Sequence, residues 1–153
     1  MKLTICFFAI LSMVTFSCQK QNVAAPKQNA DKSSPGNLEG SWRMIAVTDN
    51  PTGIVMTKPS SVQNDVEITF SPVNDISGTF SGHTPTNDIS GSDYSTGTNH
   101  LLNVLFLAMT KVAETSWGQE FVDNIRSSLQ YGFDSGNNLI IKTTGKTLTF
   151  QKL

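Results

Sequence analysis

The sequence contains very little cysteine and histidine, and this scarcity excludes several kinds of chemistry. Only Cys6 and Cys18, and only His83 and His100, are present among 153 residues. Beyond position 18 the chain therefore has no disulfide, no thiol nucleophile and no cysteine-rich zinc site. The two histidines stand far apart without an HExxH spacing. We accordingly predict no metal site and no cofactor.

Blocks of like charge are also absent. Eleven lysines and arginines stand against 12 aspartates and glutamates, for a net charge of −1, and neither sign is clustered. A nucleic-acid interface needs a clustered basic face, so no nucleic-acid partner is expected. The sequence has no GxSxG elbow, no Walker loop and no dinucleotide fingerprint. These absences favour a protein that is not an enzyme.

The one sustained apolar run lies at the N-terminus, in residues 3–16, after the positive Met1-Lys2. A positive start, a short apolar region and a small residue, Ser17, are typical of a secretory signal. The run is shorter than the roughly 20 residues of a membrane span. Thr15-Phe16-Ser17-Cys18 resembles the lipobox of bacterial lipoproteins. We predict that residues 1–17 are removed and that Cys18 carries diacylglycerol and palmitate. The alternative is a secreted protein with a free cysteine.

Residues 18–37 predict a flexible, lipid-anchored tether. The stretch is polar, carries Pro26, Pro35 and Gly36, and has almost no large apolar side chain with which to offset its ordering entropy. Its root-mean-square span is on the order of 25 Å. Cys18-Gln19-Lys20-Gln21 lacks the acidic cluster of some surface-exported lipoproteins, which favours the periplasmic side of the cell envelope.

From residue 38 onward, short alternating segments predict half-buried strands. They cover residues 41–47, 65–70, 75–81, 89–94, 101–109, 139–142 and 147–151. Thr143 to Lys146, with Gly145, predicts a turn between the last two. Asp65 and Glu67 alternate with apolar residues, which places both carboxylates on a solvent face.

One segment has a helical period instead. An apolar residue recurs every four positions, at Trp117, Phe121, Ile125 and Leu129. Ser116 as N-cap with Gln119 three residues later forms a capping box, and Gly132 is a typical C-terminal stop. Asp123 and Arg126 have the i, i+3 spacing of a surface pair. The expected fold is mainly β (α+β): a small antiparallel, barrel-like sheet of about seven strands with one packed helix near residues 116–131.

Several short motifs occur in a familiar order. They are Leu38-Glu39-Gly40-Ser41-Trp42, Ile68-Thr69-Phe70, a stretch with Gly78, Gly82, Asn87, Gly91 and Tyr94, and Thr110-Lys111-Val112-Ala113. In this order, residues 38–153 resemble the META/HslJ-like domain of bacterial envelope proteins. Many members have a cysteine just before the Asn and another after the "T-x-x-A" segment, where this chain has Thr86 and Glu114. The resemblance implies a compact barrel-like sheet packed by a helix, and a link to heat-shock and novobiocin-resistance phenotypes.

The polar loop around His83 is the candidate ligand or partner site. Its residues are His83, Thr84, Asn87 and Asp88. His83 with Asp88 has the chemistry to bind a metal or polarise a ligand. The neighbouring Gly82 and Pro85 favour the alternative, a simple turn whose side chains bond nearby backbone groups.

Three functional hypotheses follow. The leading one is a monomeric, non-catalytic, stress-related envelope lipoprotein, held at the membrane by its lipid, whose domain binds or stabilises another envelope component. The second is a small apolar ligand bound in a cavity between sheet and helix. The weakest is an enzyme using His83 and Asp88.

Overall fold

The computed structural model describes residues 38–153, so the predicted signal segment, Cys18 and the tether lie outside the described residues. The described chain forms nine strands and one α-helix. In chain order these are β1 (Gly40–Asp49), β2 (Val55–Thr57), β3 (Glu67–Asn74), β4 (Ser77–His83), β5 (Asp88–Gly97), β6 (Leu101–Phe106), α1 (Ser116–Ile125), β7 (Ser128–Phe133), β8 (Leu139–Thr143) and β9 (Lys146–Lys152). A short 3₁₀ turn, Thr98–His100, joins β5 to β6.

Eight of the strands close into an antiparallel barrel. Neighbouring strands pair in the order β1-β3-β4-β5-β6-β7-β8-β9, and β1 also pairs with β9. Closure removes the sheet edges that would otherwise present unpaired backbone groups. The short β2 pairs with the C-terminal half of β1, where Val47 is opposite Met56. The mainly β, barrel-like fold with one helix is confirmed.

Alternation along the strands decides which side chains enter the barrel. In β3, Ile68 and Phe70 are buried, whereas Glu67 and Thr69 are only partly covered. A bulge between Met44 and Ala46 keeps the later apolar positions of β1 facing inward. Asp65 and Glu67 lie on the outer face as expected, since both contact Arg43, at 3.3 and 3.0 Å.

Side chains fill the barrel interior. Twelve apolar side chains of the core have no exposed surface at all: Leu38, Val66, Ile68, Tyr94, Leu102, Trp117, Phe121, Ile125, Leu139, Ile141, Leu148 and Phe150. A side chain with no accessible surface touches no space that admits a water molecule. The aromatic rings also contact one another: Phe70 meets Tyr94 edge-on, with ring centroids 5.1 Å apart. Residues 38–150 thus contain a complete core, as expected of a unit that folds on its own.

The helix α1 lies at one end of the barrel. Its buried face consists of Trp117, Gly118, Phe121 and Ile125. Phe121 packs edge-on against Phe150 of β9, and Glu120 forms an ion pair of 2.5 Å with Lys146 at the start of that strand. The helix therefore packs against the sheet, as its apolar stripe predicted.

The limits of the helix differ from the prediction. The N-cap is Thr115, not Ser116, because the Thr115 hydroxyl accepts a hydrogen bond from the Gly118 amide at 3.1 Å. The helix ends at Ile125 and not near residue 131, because the Ser127 amide and hydroxyl both turn back to the Asn124 carbonyl. Serine and asparagine favour such local bonds over continued helix.

Residues beyond this turn form β7, which the sequence pattern missed. Leu129 fits the helical stripe, but it also begins an alternation with Tyr131 and Phe133. Pairing with β8 decides the outcome: Tyr131 is opposite Ile141, and a bulge at Leu129 turns that side chain outward. Gly132 consequently lies inside a strand and does not end the helix. With β7 in place the barrel has the strand it needs to close.

The predicted final hairpin is confirmed. The Thr143 hydroxyl donates to the Lys146 carbonyl at 2.9 Å and accepts from the Lys146 amide at 3.1 Å. Among residues 38–153 no helix is long and apolar enough to cross a membrane.

Candidate functional site

A groove lies on the outside of the barrel, beside α1. It encloses about 700 Å³ between α1 and the extended chain that connects β6 to α1. We call it the β6–α1 groove; it is lined by Asn87, residues 106–114, Gln119, Val122 and Arg126. Its volume falls within the range of roughly 300–1,000 Å³ typical of small-molecule sites.

Apolar side chains line the groove and are largely open to solvent. Phe106 is 57% exposed and Val112 is 59% exposed, with Met109 and Val122 partly buried beside them. Met109 forms an isolated bridge with Ile89 of β5, and backbone hydrogen bonds join Ala108 to Ser90 and Thr110 to Asp88. Exposed apolar side chains gathered in one concave place mark a binding surface more often than single exposed residues do.

The buried side chain of Asn87 holds the connection in place. Its Oδ1 accepts hydrogen bonds from the Val112 amide at 2.7 Å and the Thr110 hydroxyl at 3.0 Å. Its Nδ2 donates to the Val112 carbonyl at 2.9 Å, to Glu114 Oε2 at 2.9 Å and to the Thr86 hydroxyl at 3.0 Å. Asn87 is only 3% exposed, so few of these bonds can be replaced by water. The side chain thus ties the β4–β5 hairpin to the groove wall.

Glu114 is the second centre of the same network. Its carboxylate accepts from the Thr84 hydroxyl, from the Thr86 hydroxyl at 2.9 Å and from the Thr115 amide at 2.9 Å, in addition to Asn87. Burial alone would raise the pKa of Glu114, but these hydrogen bonds favour the ionised form and bring the pKa below its ordinary value. The carboxylate is therefore a fixed negative charge that the protein itself satisfies.

Gly118 leaves room for that carboxylate at the start of α1. A Cβ at this position would overlap the carboxyl group of Glu114, which four hydrogen-bond donors hold in place. The helix start, the Thr84–Asn87 turn and the groove wall are consequently one rigid assembly.

Two cations border the groove without partners of their own. Lys111 lies on the connection and Arg126 follows the last residue of α1, and both are exposed. Within the described residues neither side chain makes a hydrogen bond or an ion pair. The expected pair of Asp123 with Arg126 does not form, because Asp123 instead accepts from Gln119 at 2.6 Å. The two positive charges are thus free to meet an anion.

The structure separates the four residues of the candidate loop into two pairs. Thr84 and Asn87 are buried, 2% and 3% exposed, and form a turn in which the Thr84 amide donates to the Asn87 carbonyl at 2.8 Å. Of the four, Asn87 alone lines the β6–α1 groove.

His83 and Asp88 are opposite each other across β4 and β5, outside the groove. His83 Nε2 lies 3.5 Å from Glu67 Oε2 on the neighbouring strand. In residues 38–153 no group of three or more histidine, cysteine, aspartate or glutamate side chains is arranged to hold a metal ion.

Apart from Asn87, the groove residues are not among the sequence candidates. Phe106 ends β6, within a segment predicted only as a strand, and Val112 carries no periodic signal, since the chain from Leu107 to Thr115 is neither a regular strand nor a helix. The sequence does offer one indication of the groove: the cation Lys111 and the apolar Val112 are adjacent in a segment between a predicted strand and the predicted helix.

Solved structures of other bacterial proteins superpose on this chain in part. A protein from Burkholderia xenovorans, determined by NMR, superposes with a TM-score of 0.56 at 19% identity, over 80% of this chain and 88% of that one. A DUF4847 family protein from Bacteroides vulgatus gives a TM-score of 0.49 at 17% identity, over 76% and 95% of the respective chains. No protein-family model and no curated protein matches the sequence. The likeness to the Burkholderia protein shows the fold alone, and a fold does not assign a function.

Proposed function

We propose that this chain is a non-catalytic, stress-related lipoprotein of the bacterial cell envelope, anchored by Cys18 and facing the periplasm, whose barrel binds or stabilises another envelope component through the β6–α1 groove. The observation that carries the binding role is the groove itself. Phe106 and Val112 are exposed in it, while the polar side-chain groups of Asn87 and Glu114 are already bonded within the protein. A surface built so rigidly around solvent-exposed apolar groups fits recognition better than catalysis.

A relation to the META/HslJ-like domain belongs to the same proposal. Many members have cysteines at the two positions that hold Thr86 and Glu114 here. Thr86 Oγ1 donates to Glu114 Oε1 at 2.9 Å in this structure, so the side chains at the two positions meet. This contact supports the relation.

A small apolar ligand is the second candidate function. The volume of the groove, about 700 Å³, favours it. The filled core makes the outer groove, and not the inside of the barrel, the place for such a ligand. An enzyme centred on His83 and Asp88 has weaker support, because both residues lie outside the groove.

The anchor is tested by labelling cells with a radioactive or alkyne-bearing fatty acid. The wild-type chain should take up label and sediment with membranes, whereas Cys18→Ser should do neither. A Cys18→Ser chain that still sediments with membranes would contradict the anchor.

The binding surface is tested by crosslinking whole envelopes and recovering the tagged full-length chain. Val112→Asp puts a charge into the groove at an exposed position and should abolish a crosslinked component that the wild type retains. Lys142→Glu changes an exposed side chain on β8 and serves as the control. A component recovered equally with both variants would mean that it binds elsewhere, and no component under growth or heat stress would contradict the proposal.

A further inference from the structure

The β6–α1 groove combines an apolar floor with two unpaired cations, and this combination defines a ligand class. We infer that the groove binds a single-chain amphiphile with an anionic head, namely a long-chain carboxylate whose hydrocarbon lies along Phe106, Met109 and Val122 while its head meets Lys111 and Arg126. The inference rests on the proposed function and deepens it by naming the ligand of the same groove.

The polar side chains of the groove offer few partners to a peptide. A bound peptide brings amide and carbonyl groups that need partners, because an unsatisfied buried polar group is costly. Asn87 and Glu114 are already saturated within the protein, and Gln119 donates to Asp123. Among the side chains, the chemistry left open is apolar contact together with the two positive charges, which suits a ligand that is apolar except at one acidic end.

The position of the charges fits the same ligand. Arg126 directly follows α1 and Lys111 lies on the connection from β6 to α1, so each of the two segments that form the groove brings one cation to its lining. The nearby carboxylate of Glu114 does not cancel them, since Thr84, Thr86, Asn87 and the Thr115 amide bind it. Arg126 retains a favourable position near the negative end of the helix dipole when no ligand is present.

The test uses a soluble form, residues 19–153, since the core is complete within residues 38–150. Its probe is cis-parinaric acid, a fluorescent long-chain carboxylate, compared with its uncharged methyl ester below their micelle-forming concentrations. The acid should bind about 10-fold more tightly than the ester, because two exposed charge contacts of about 0.7 kcal/mol each sum to about 1.4 kcal/mol, which corresponds to that factor.

Three variants locate the site. The double substitution Lys111→Ser with Arg126→Ser should erase the preference for the acid and leave binding of the ester unchanged. Phe106→Ser removes an exposed apolar contact and should weaken both ligands about 10-fold. Lys142→Ser is the matched control and should change neither affinity.

Several results would overturn the inference. One is equal affinity of the wild type for acid and ester; another is a double variant that keeps the preference. Binding insensitive to Phe106→Ser would place the ligand outside the groove. If the soluble form instead binds vesicles of anionic phospholipid and takes up no free acid, the occupant is a membrane surface. Each of these outcomes leaves the envelope crosslinking test unaffected, so failure of the ligand class and failure of the proposed function remain distinguishable.

Discussion

Replacing Asn87 with alanine should destabilise the barrel and loosen the groove wall together. The side chain has five polar partners, but its Nδ2 carries only two hydrogens, and the contacts with the hydroxyls of Thr86 and Thr110 can be replaced by water, since both residues are exposed. The two bonds to the Val112 backbone and the bond to Glu114 are lost. At about 1 kcal/mol each, Asn87→Ala should lower the free energy of unfolding by about 3 kcal/mol, a large part of the roughly 5–15 kcal/mol typical of a domain.

Denaturant unfolding measures the global effect, and hydrogen exchange of the Val112 amide measures the local one. That amide donates to Asn87 Oδ1 at 2.7 Å. In the variant, its protection against exchange should therefore fall by more than the loss of global stability alone would cause. Asp88→Ala, an exposed change on the same hairpin, is the control and should stay within about 0.5 kcal/mol of the wild type. An Asn87→Ala variant as stable as this control, with a Val112 amide still protected, would refute the structural role assigned to Asn87.

The nearly isosteric Asn87→Asp sharpens the test. It puts a carboxylate where Nδ2 now lies 2.9 Å from Glu114 Oε2. Like charges so close raise the pKa of one carboxyl, so at neutral pH this variant should be less stable than Asn87→Ala. Its stability should recover as the pH is lowered and one of the two groups takes up a proton. No recovery would mean that the two side chains are not in contact.

Three further predictions concern the same network and the core. Gly118→Ala would ordinarily strengthen a helix by about 1 kcal/mol, but here it should destabilise the protein in denaturant unfolding, because the new methyl group overlaps the tethered Glu114 carboxylate; a stabilised variant would contradict that packing. Since hydrogen bonds lower the pKa of Glu114 in the folded state, its contribution to stability is present above the unfolded-state pKa of about 4.3 and is lost as the pH falls through the lower folded-state pKa. Glu114→Gln should therefore flatten the acid limb of a stability-against-pH curve, and an unchanged limb would count against this linkage. Tyr94 has a fully buried hydroxyl without a hydrogen-bond partner in the described residues, and burial, together with Tyr131 and Glu39, raises its pKa to about 12. Tyr94→Phe should consequently raise the free energy of unfolding by about 1 kcal/mol, and a loss of stability would reveal a partner for the hydroxyl.

Local alternation was enough to predict most of the strands. Ile68 and Phe70 in β3 and Leu148 and Phe150 in β9 show the period of two that follows from one buried face. Closure of the barrel could not be predicted from local alternation, because the pairing of β1 with β9 joins the two ends of the described chain. That contact depends on the curvature of the whole sheet and not on any local pattern.

The region around α1 shows where a local pattern misleads. Leu129 satisfies both a period of four and a period of two, and only pairing with β8 decides between them. Asn87 could be selected from the sequence as a polar residue in a loop, but its partner Val112 is 25 positions away. The sequence therefore pointed to one half of the network, while the groove depends on how two distant segments meet.

The central claim is that the β6–α1 groove is the surface through which an anchored protein meets its ligand or partner in the envelope. The most direct measurement is photo-crosslinking in living cells, with a photoreactive phenylalanine analogue placed at Phe106 or at Lys142 of the full-length chain. We predict a defined adduct from position 106, absent from position 142 and lost when Val112→Asp is added. No adduct from position 106, or the same adduct from both positions, would contradict the claim.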